Sequence, residues 1–464
     1  VELTLHAAAD WTHDSAALTR CHEDIGRGDI IVVTMLFMEE HIQAVLPALS
    51  ARRDHCDAMI CCMSAAQVMR LTRMGSFRMD GEQTGPMALL KRLRGNRKNA
   101  RKPAGAQQLS VLRQLPRILR FIPGTAQDLR ASFLTLQYWL ASSEENLERM
   151  ARFLIDRYAA GPRGAWRGSL KAALPIDYPD LGVYHPRMRK RLSEDPRDLP
   201  KPAKGSRGTV GLLIMRSYVL AGNTAHYDAT IAALEARGLA VITAFASGLD
   251  ARPAMRRYFM RNDKPCVDAV ISLTGFSLVG GPAYNDSKAA EEMLRELDAP
   301  YLAAQPVEFQ SLAQWEASEQ GLMPLEATMM VAIPELDGAT GPIVFGGRGE
   351  KAEQGQASGM QGHAERIDTL VARIERLVAL RKTPTKERKI AIVLFNFPPN
   401  AGNTGTAAHL SVFASLYNTL RGLHDQGYAV TLPDSVDELR DRIINGNAAE
   451  YGAHANVHTL IDVD

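Results

Sequence analysis

The sequence predicts an α/β chain with several domains, in which successive doubly wound parallel-sheet units are joined by helical insertions and linkers. Three observations lead there. Short runs that are apolar throughout recur, such as Asp29-Ile-Ile-Val-Val-Thr-Met-Leu-Phe37 and Ala58-Met-Ile-Cys-Cys-Met63. A strand that is apolar on both faces needs cover on both, as a parallel sheet provides. Segments with apolar residues at helical spacing alternate with those runs. A length of 464 residues also suggests about three domains of about 150 residues each.

Taken in order, 1–105 reads as an N-terminal α/β domain, with strands at 29–37 and 58–63 and a helix from Glu39 to Ser50. Residues 106–205 read as a helical segment and an extended linker. Val111, Leu112, Leu115, Ile118 and Leu119 form a helical stripe, and Leu129–Tyr138 and Glu144–Tyr158 continue it. Trp139, Phe153 and Tyr158 read as core residues. The Pro- and charge-rich stretch Pro175–Lys204 reads as an extended crossing. Residues 206–310 read as a flavodoxin-like α/β domain. Its strands are Thr209–Met215, Ala240–Phe245, Val267–Leu273 and Pro300–Ala304, with helices at His226–Arg237 and Ser287–Leu297. Residues 311–386 hold a carboxylate turn, a Gly-rich stretch and an amphipathic helix from His363 to Lys382. Residues 387–464 read as the start of a further α/β domain, with strands Lys389–Phe395 and Tyr428–Leu432 around a helix Thr406–Gln426. The last two α/β units share Ala-Gly-Asn-Thr at 221–224 and 401–404, which suggests a duplicated strand–loop–helix module.

The composition, 46% hydrophobic and 23% charged, is that of an ordinary globular protein. A net charge of +2 gives no field for a nucleic-acid partner. The basic run Lys91–Lys102 reads as a solvated loop, with anion or lipid-headgroup contact as the second reading. Five cysteines without a Cys-x-x-Cys pair show no zinc or iron–sulfur ligand set and fit a reducing cytoplasm. There is no signal peptide and no apolar run of bilayer length. Both ends read as cut from something longer, since the chain opens on Val1 and stops just after the apolar stretch Val457–Val463.

The densest motif is Val331–Gly347. Glu335 and Asp337 sit between apolar runs, with Pro334 expected to block a helix before them and Gly338 to permit a tight turn after them. Carboxylates held on a rigid turn can bind a hard cation or take a proton. The other reading is a solvated turn whose Asp caps its own backbone. His363 and Glu365 open the next helix; a Glu there also favours the helix dipole. His185 reads either as a loop ligand or as a locally packed residue. The Ala-Gly-Asn-Thr loops read either as anion cradles, as in a flavin-binding flavodoxin, or as ordinary caps. No Walker sequence and no Gly-x-Ser-x-Gly nucleophile occurs, so the chain itself is not expected to hydrolyse ATP.

Four segments carry a family resemblance: Met63–Phe77, Tyr178–Pro186, Ile333–Gly347 and Asn396–Gly405. They resemble the large H subunit of magnesium chelatase, in a family that also holds the large subunit of aerobic cobaltochelatase. The Pro-Glu-Leu-Asp-Gly turn is shared by both branches, and the first two segments look like the magnesium branch. The resemblance covers essentially the whole chain, as an N-terminal to central portion of a longer subunit. It implies a ligase forming nitrogen–metal bonds, which binds protoporphyrin IX and inserts Mg²⁺ in (bacterio)chlorophyll biosynthesis. It implies two smaller AAA+ ATPase partners, I and D, that use ATP, and a cytoplasmic protein with peripheral membrane association where the next pathway step occurs. By itself such a portion is expected to be inactive. Carried onto this chain, the resemblance makes Glu335 and Asp337 the candidate catalytic carboxylates, and Glu335, Glu365 and His363 the candidate metal ligands. The porphyrin contacts stay unassigned. The alternatives are a cobaltochelatase subunit acting on a corrinoid precursor, and a non-catalytic tetrapyrrole-binding scaffold.

Overall fold

The computed structural model describes residues 2–11, 14–80, 115–141, 143–281, 284–350, 359–395 and 403–446. The basic run at 91–102, Val111 and Leu112 lie outside them, as do Ala401 and Gly402 of the second Ala-Gly-Asn-Thr segment. The chain forms two compact units, Val1–Glu375 and Arg376–Asp464.

The first unit holds two sheets. In the first, β1 (Ile30–Thr34) and β2 (Ala58–Cys62) run parallel, and the hairpin β3 (Arg73–Met74) and β4 (Phe77–Arg78) extends the sheet beyond β2. Strand β2 explains why its sequence is apolar throughout. Met59 and Cys61 pack against Cys21, Ile25, Ile42, Val45 and Leu49, from the helices Ser15–Arg27 and Glu39–Arg52. Ala58 and Ile60 face the other way, onto Ala131, Leu134, Tyr138, Leu154 and Tyr158 of the helices Thr125–Ala141 and Glu144–Tyr158. The core of this sheet therefore extends past position 105. Trp139 and Phe153 pack against it, as expected. Each fully buried large side chain contributes about 1.5–3 kcal/mol, so two covered faces stabilise a sheet that one face would leave half-wet.

The second sheet has seven strands in the order β15-β14-β13-β10-β6-β7-β5. They are β5 (Leu181–Val183), β6 (Gly208–Leu213), β7 (Leu239–Ala246), β10 (Ala269–Ser272), β13 (Tyr301–Ser311), β14 (Thr340–Arg348) and β15 (Met360–Gly362). Two short ribbons, β8–β9 (Met260–Arg261, Lys264–Pro265) and β11–β12 (Gly280–Gly281, Tyr284–Asn285), lie in the connections. The five central strands are parallel, and β5 and β15 close the edges antiparallel. In chain order the parallel strands read 2-1-3-4-5, the flavodoxin-like arrangement. The stretch read as an extended crossing thus supplies edge strand β5, and the segment after 310 supplies two further strands.

One face of this sheet is covered by the helices Arg252–Tyr258 and Ser287–Leu297, around Leu213, Ala244, Val270, Tyr301 and Ala303. The helix Ala225–Ala236 is joined to the helix Ala364–Lys382 through Arg237, which pairs with Asp368 at 2.5 Å and Glu375 at 2.8 Å. The expected stripe on the second of these helices is real, since Ile367, Leu370, Val371 and Ile374 are buried.

The second unit departs from expectation. Its described residues contain the helices Val412–Asp425 and Val436–Asn445 but no strand. Lys389–Phe395 and Tyr428–Leu432 form no strand, and Val393 is 93% exposed. A strand is completed by its neighbours, because its N–H and C=O groups point outward along the chain edge. Among the described residues neither segment is paired along its length; at the end of the first, the Phe395 carbonyl accepts from the Gly405 N–H at 2.8 Å.

Candidate functional site

The carboxylate motif closes a helical segment. Pro334 does not block a helix before Glu335, which corrects the sequence reading. The backbone is helical through Pro324–Glu326, takes a π-helical course over Ala327–Ala332, and resumes over Ile333–Leu336. Proline has no N–H to give the carbonyl four residues back. That carbonyl belongs to Met330, and it accepts instead from Gln305 Nε2 at 3.0 Å, a side chain buried in β13. The wider π turn and this outside donor absorb the proline.

At the end of the segment the two carboxylates part company. Asp337 is 2% exposed. Its Oδ2 accepts from Ser277 Oγ at 2.7 Å and from the Leu278 N–H at 2.8 Å, and its Oδ1 accepts from Asn285 Nδ2 at 3.1 Å. It therefore does not cap its own backbone. It ties the loop after β10 to the turn before β14, with Gly338 in a left-handed conformation (φ 104°). Glu335, beyond buried Pro334, is exposed.

His363 sits elsewhere on the sheet. Its N–H donates to the carbonyl of Phe345, midway along β14. Its Nε2 meets Glu316 Oε1 at 2.7 Å, and its ring stands edge-on to Trp315. Glu365 is exposed, pairs with Arg366 at 2.9 Å and accepts from Thr369 at 3.3 Å. The structure thus joins Asp337 to its loop but does not gather Glu335, Glu365 and His363 round one point. Among the described residues no three His, Cys, Asp or Glu side chains form a metal-holding group.

The remaining candidates resolve as packing. His185 is buried, with Nε2 3.2 Å from Glu235 and Nδ1 accepting from the Arg187 N–H at 3.1 Å. Burial lowers its pKa although Glu235 works to raise it. The first Ala-Gly-Asn-Thr loop does not follow its strand directly, because the helix Arg216–Leu220 intervenes. Its Asn223 accepts from the Met360 N–H at 2.8 Å, and Thr224 and Tyr184 both donate to Asp228. All five cysteines are unpaired, and burial pushes the Cys61 thiol up to about 12.

Doubly wound sheets bind ligands where the strand order reverses, beyond the carboxyl ends of the strands. That point lies here between β6 and β10. The crevice, lined by Leu213, Met215, Phe245, Leu249, Ser272 and Thr274, has a free interior of about 30 Å³. That is the space of about one water, and no tetrapyrrole fits it.

One polar constellation at the carboxyl end of β13 escaped the sequence reading. Tyr218 Oη donates to Glu308 Oε1 at 2.6 Å. Burial raises the Glu308 pKa and Glu326 adds to this, against the Tyr218 hydrogen bond and the Arg348 charge. Behind Tyr218 lies His226, fully buried among Tyr218, Tyr227 and Phe345, with neither ring nitrogen hydrogen-bonded among the described residues. Burial brings its pKa down to about 3. The available signal was a lone Glu in Tyr301-Leu-Ala-Ala-Gln-Pro-Val-Glu308. It was lost because the strand was expected to end at Ala304.

No helix among the described residues is long and apolar enough to cross a membrane. Residues 136–464 match the family model described as CobN/Magnesium Chelatase, and residues 1–133 match a domain of unknown function (DUF3479). The magnesium-chelatase H subunit of Cereibacter sphaeroides is 49% identical over the whole chain, which covers 39% of that relative. The chloroplastic magnesium-chelatase subunit ChlH of Oryza sativa is 36% identical over 93% of the chain and 31% of its own length. The aerobic cobaltochelatase subunit CobN of Pseudomonas aeruginosa is 28% identical over 74% of the chain and 27% of its own length. The catalytic subunit of cobaltochelatase from Mycobacterium tuberculosis shares the fold, with a TM-score of 0.52 at 20% identity over 94% of the chain and 30% of that structure. The chain spans about two-fifths of the length of its magnesium-chelatase relative from Cereibacter, and it belongs to the CobN/magnesium chelatase family.

Proposed function

We propose that this chain is the N-terminal to central part of the porphyrin-binding subunit of a magnesium chelatase, which inserts Mg²⁺ into protoporphyrin IX for (bacterio)chlorophyll synthesis. ATP hydrolysis is supplied by separate AAA+ partners, I and D, in a reducing cytoplasm. Identity of 49% to a magnesium-chelatase relative against 28% to a cobaltochelatase relative favours magnesium over cobalt.

The observation that carries the chemical reading is the presentation of Glu335. It is exposed between buried Pro334 and buried Asp337, so its backbone is held from both sides while its carboxylate is free to meet a cation. Mg²⁺ sheds its waters reluctantly, and a carboxylate oxygen can replace one. Glu335 is the metal-handling carboxylate in this reading, and Asp337 positions it through the loop after β10. Glu365 and His363 remain as outlying candidate ligands that would meet the ion only through further parts of the full-length protein.

In the full-length protein with its ATPase partners, Glu335→Ala should leave porphyrin binding, read by tryptophan quenching, within about twofold. Magnesium insertion should fall at least about tenfold, the scale of one lost transition-state contact. Unchanged turnover removes Glu335 from the reaction. Porphyrin binding without insertion by the wild type, partners present, favours the scaffold reading. Quenching by a corrinoid precursor but not by protoporphyrin favours cobaltochelatase.

A further inference from the structure

Asp337 is fixed by a closed ring of neutral donors, and that ring reaches the turn that carries Glu335. Asn285 gives both hydrogens of its side-chain amide to one place: one to Asp337 Oδ1 at 3.1 Å, the other to Ser277 Oγ at 3.0 Å. Ser277 Oγ donates in turn to Asp337 Oδ2 at 2.7 Å and accepts from the Val279 N–H at 3.2 Å. The Leu278 N–H supplies the third bond to the carboxylate, at 2.8 Å. Asn285 is itself held in place. It stands opposite Gly280 in the β11–β12 ribbon. The next residue, Asp286, donates its N–H to the Val279 carbonyl at 2.9 Å and caps the helix Ser287–Leu297 by accepting from the Ala289 N–H at 3.0 Å. At the other end, the Pro334 carbonyl accepts from the N–H groups of Asp337 at 3.1 Å and Ala339 at 3.0 Å, and the Glu335 carbonyl accepts from the Gly338 N–H at 3.0 Å. The bearing of Glu335 is thus set by the side chain two residues on. A loop needs only an anchor, and apolar packing supplies one without desolvating an amide, a hydroxyl and a carboxylate. What the polar ring adds is a fixed direction.

We propose that Asn285 is a positioning residue for the metal-handling step: through Asp337 it aims the exposed Glu335 carboxylate at the incoming Mg²⁺. This rests on the chelatase reading above. Asn285 does not touch the ion. It lies fifty-two residues before Asp337, on a different element. A slackened ring would let the turn drift while the sheet and helices around it stay folded. A reacting group misplaced by about 1 Å can lose on the order of a hundredfold in rate, so a small drift of Glu335 is enough to slow the exchange of water for carboxylate on the ion.

The test is a double-mutant cycle between Asn285 and Glu335 in the full-length protein, with its ATPase partners, Mg²⁺ and protoporphyrin IX. Asn285→Ala should lower kcat/KM for Mg²⁺ about tenfold. Porphyrin binding, read by tryptophan quenching, should stay within about twofold in affinity and at full stoichiometry, whereas a merely structural loss would reduce the number of molecules that bind. In the Glu335→Ala background the same change should cost nothing further, because the group it aims is gone. Asp337→Asn leaves Ser277 and Leu278 an acceptor, so it should hold the turn and keep turnover per folded molecule. Losses that multiply in the double variant, or a wild-type Mg²⁺ response in Asn285→Ala, overturn the inference. A loss of turnover in Asp337→Asn as large as in Asn285→Ala ties the effect to the Asp337 charge and overturns it too. If Asn285→Ala does not fold, Ser277→Ala takes its place in the cycle, with the same expected and overturning results. Unchanged turnover in Glu335→Ala itself overturns the metal-handling reading of Glu335 instead.

Discussion

The two sheets of the first unit share a construction and differ at their carboxyl edges. Each has parallel strands covered by helices on both faces. Each also uses a carboxylate to fasten a loop: Asp128 in the first sheet, Asp337 in the second. Asp128 accepts from the Ser76 N–H at 2.9 Å, Ser76 Oγ at 2.8 Å and Tyr158 Oη at 3.0 Å. It holds the β3–β4 turn, where Gly75 is left-handed (φ 57°) and an added Cβ would stand 2.5 Å from the Asp128 oxygen. Beyond the strands the resemblance stops. The first sheet ends in exposed Met35, Phe37 and Met63, with Met35 and Met63 left-handed and the Met35 N–H donating to the Met63 carbonyl. The second ends in Tyr218, Glu308 and Arg348. The difference lies in which edge receives a carboxylate that packing has dried.

The largest test of this pairing removes each fastening carboxylate in turn. Asp337→Ala leaves a buried hydroxyl, amide and N–H without their acceptor, and should cost about 3–4 kcal/mol. Asp128→Ala, at a side chain that keeps some solvent, should cost about 1–2 kcal/mol. Urea unfolding followed by tryptophan fluorescence measures both, and equal costs would mean that the second loop is not held as described. Asp337→Asn separates roles: normal chemistry per folded molecule with reduced stability makes Asp337 a positioning residue.

Acid should separate the sheets next. Burial keeps His226 neutral down to about pH 3, whereas an unfolded histidine takes its proton near 6.5. Between those values the unfolded chain binds more protons, so stability falls as pH drops from about 6.5 to about 3, by up to about 1.4 kcal/mol per unit. His226→Phe should flatten that slope. At neutral pH it should also stabilise by about 1 kcal/mol, because two unpaired buried nitrogens disappear while the ring packing stays. Destabilisation at neutral pH would show that the histidine nitrogens have a partner. The Asp128 carboxyl is held below its ordinary value. Burial works to raise its pKa, but the Ser76 and Tyr158 hydrogen bonds and Arg157 outweigh it. Its contribution is complete above about 3.9, the unfolded value, and is lost as pH falls below that.

The smallest effect belongs to the first edge. Met63→Gly should relieve the left-handed conformation and stabilise by about 1 kcal/mol or less, since glycine's extra chain entropy offsets part of the gain. Thermal unfolding reads this, and a loss of stability would mean that the Met63 side chain packs usefully.

Local pattern by itself determined the parallel strands and the long amphipathic helices. Ala58–Cys62 is apolar on both faces, and the helices Glu144–Tyr158 and Ser287–Leu297 fall on their expected bounds, because covered strands and striped helices leave a signature within a few neighbouring residues. Only the tertiary structure decided the fate of the carboxylates. Glu335 and Asp337 stand two residues apart in one motif, yet one is exposed and the other is locked to residues about sixty positions earlier in the chain. Pro334 sits in a helix because Gln305, far back in the sequence, serves the carbonyl it orphans. Glu308 meets Tyr218 across ninety residues. Hydrogen bonds and desolvation depend on what lies within a few ångströms, and for these groups the chain's path through space supplies that neighbourhood.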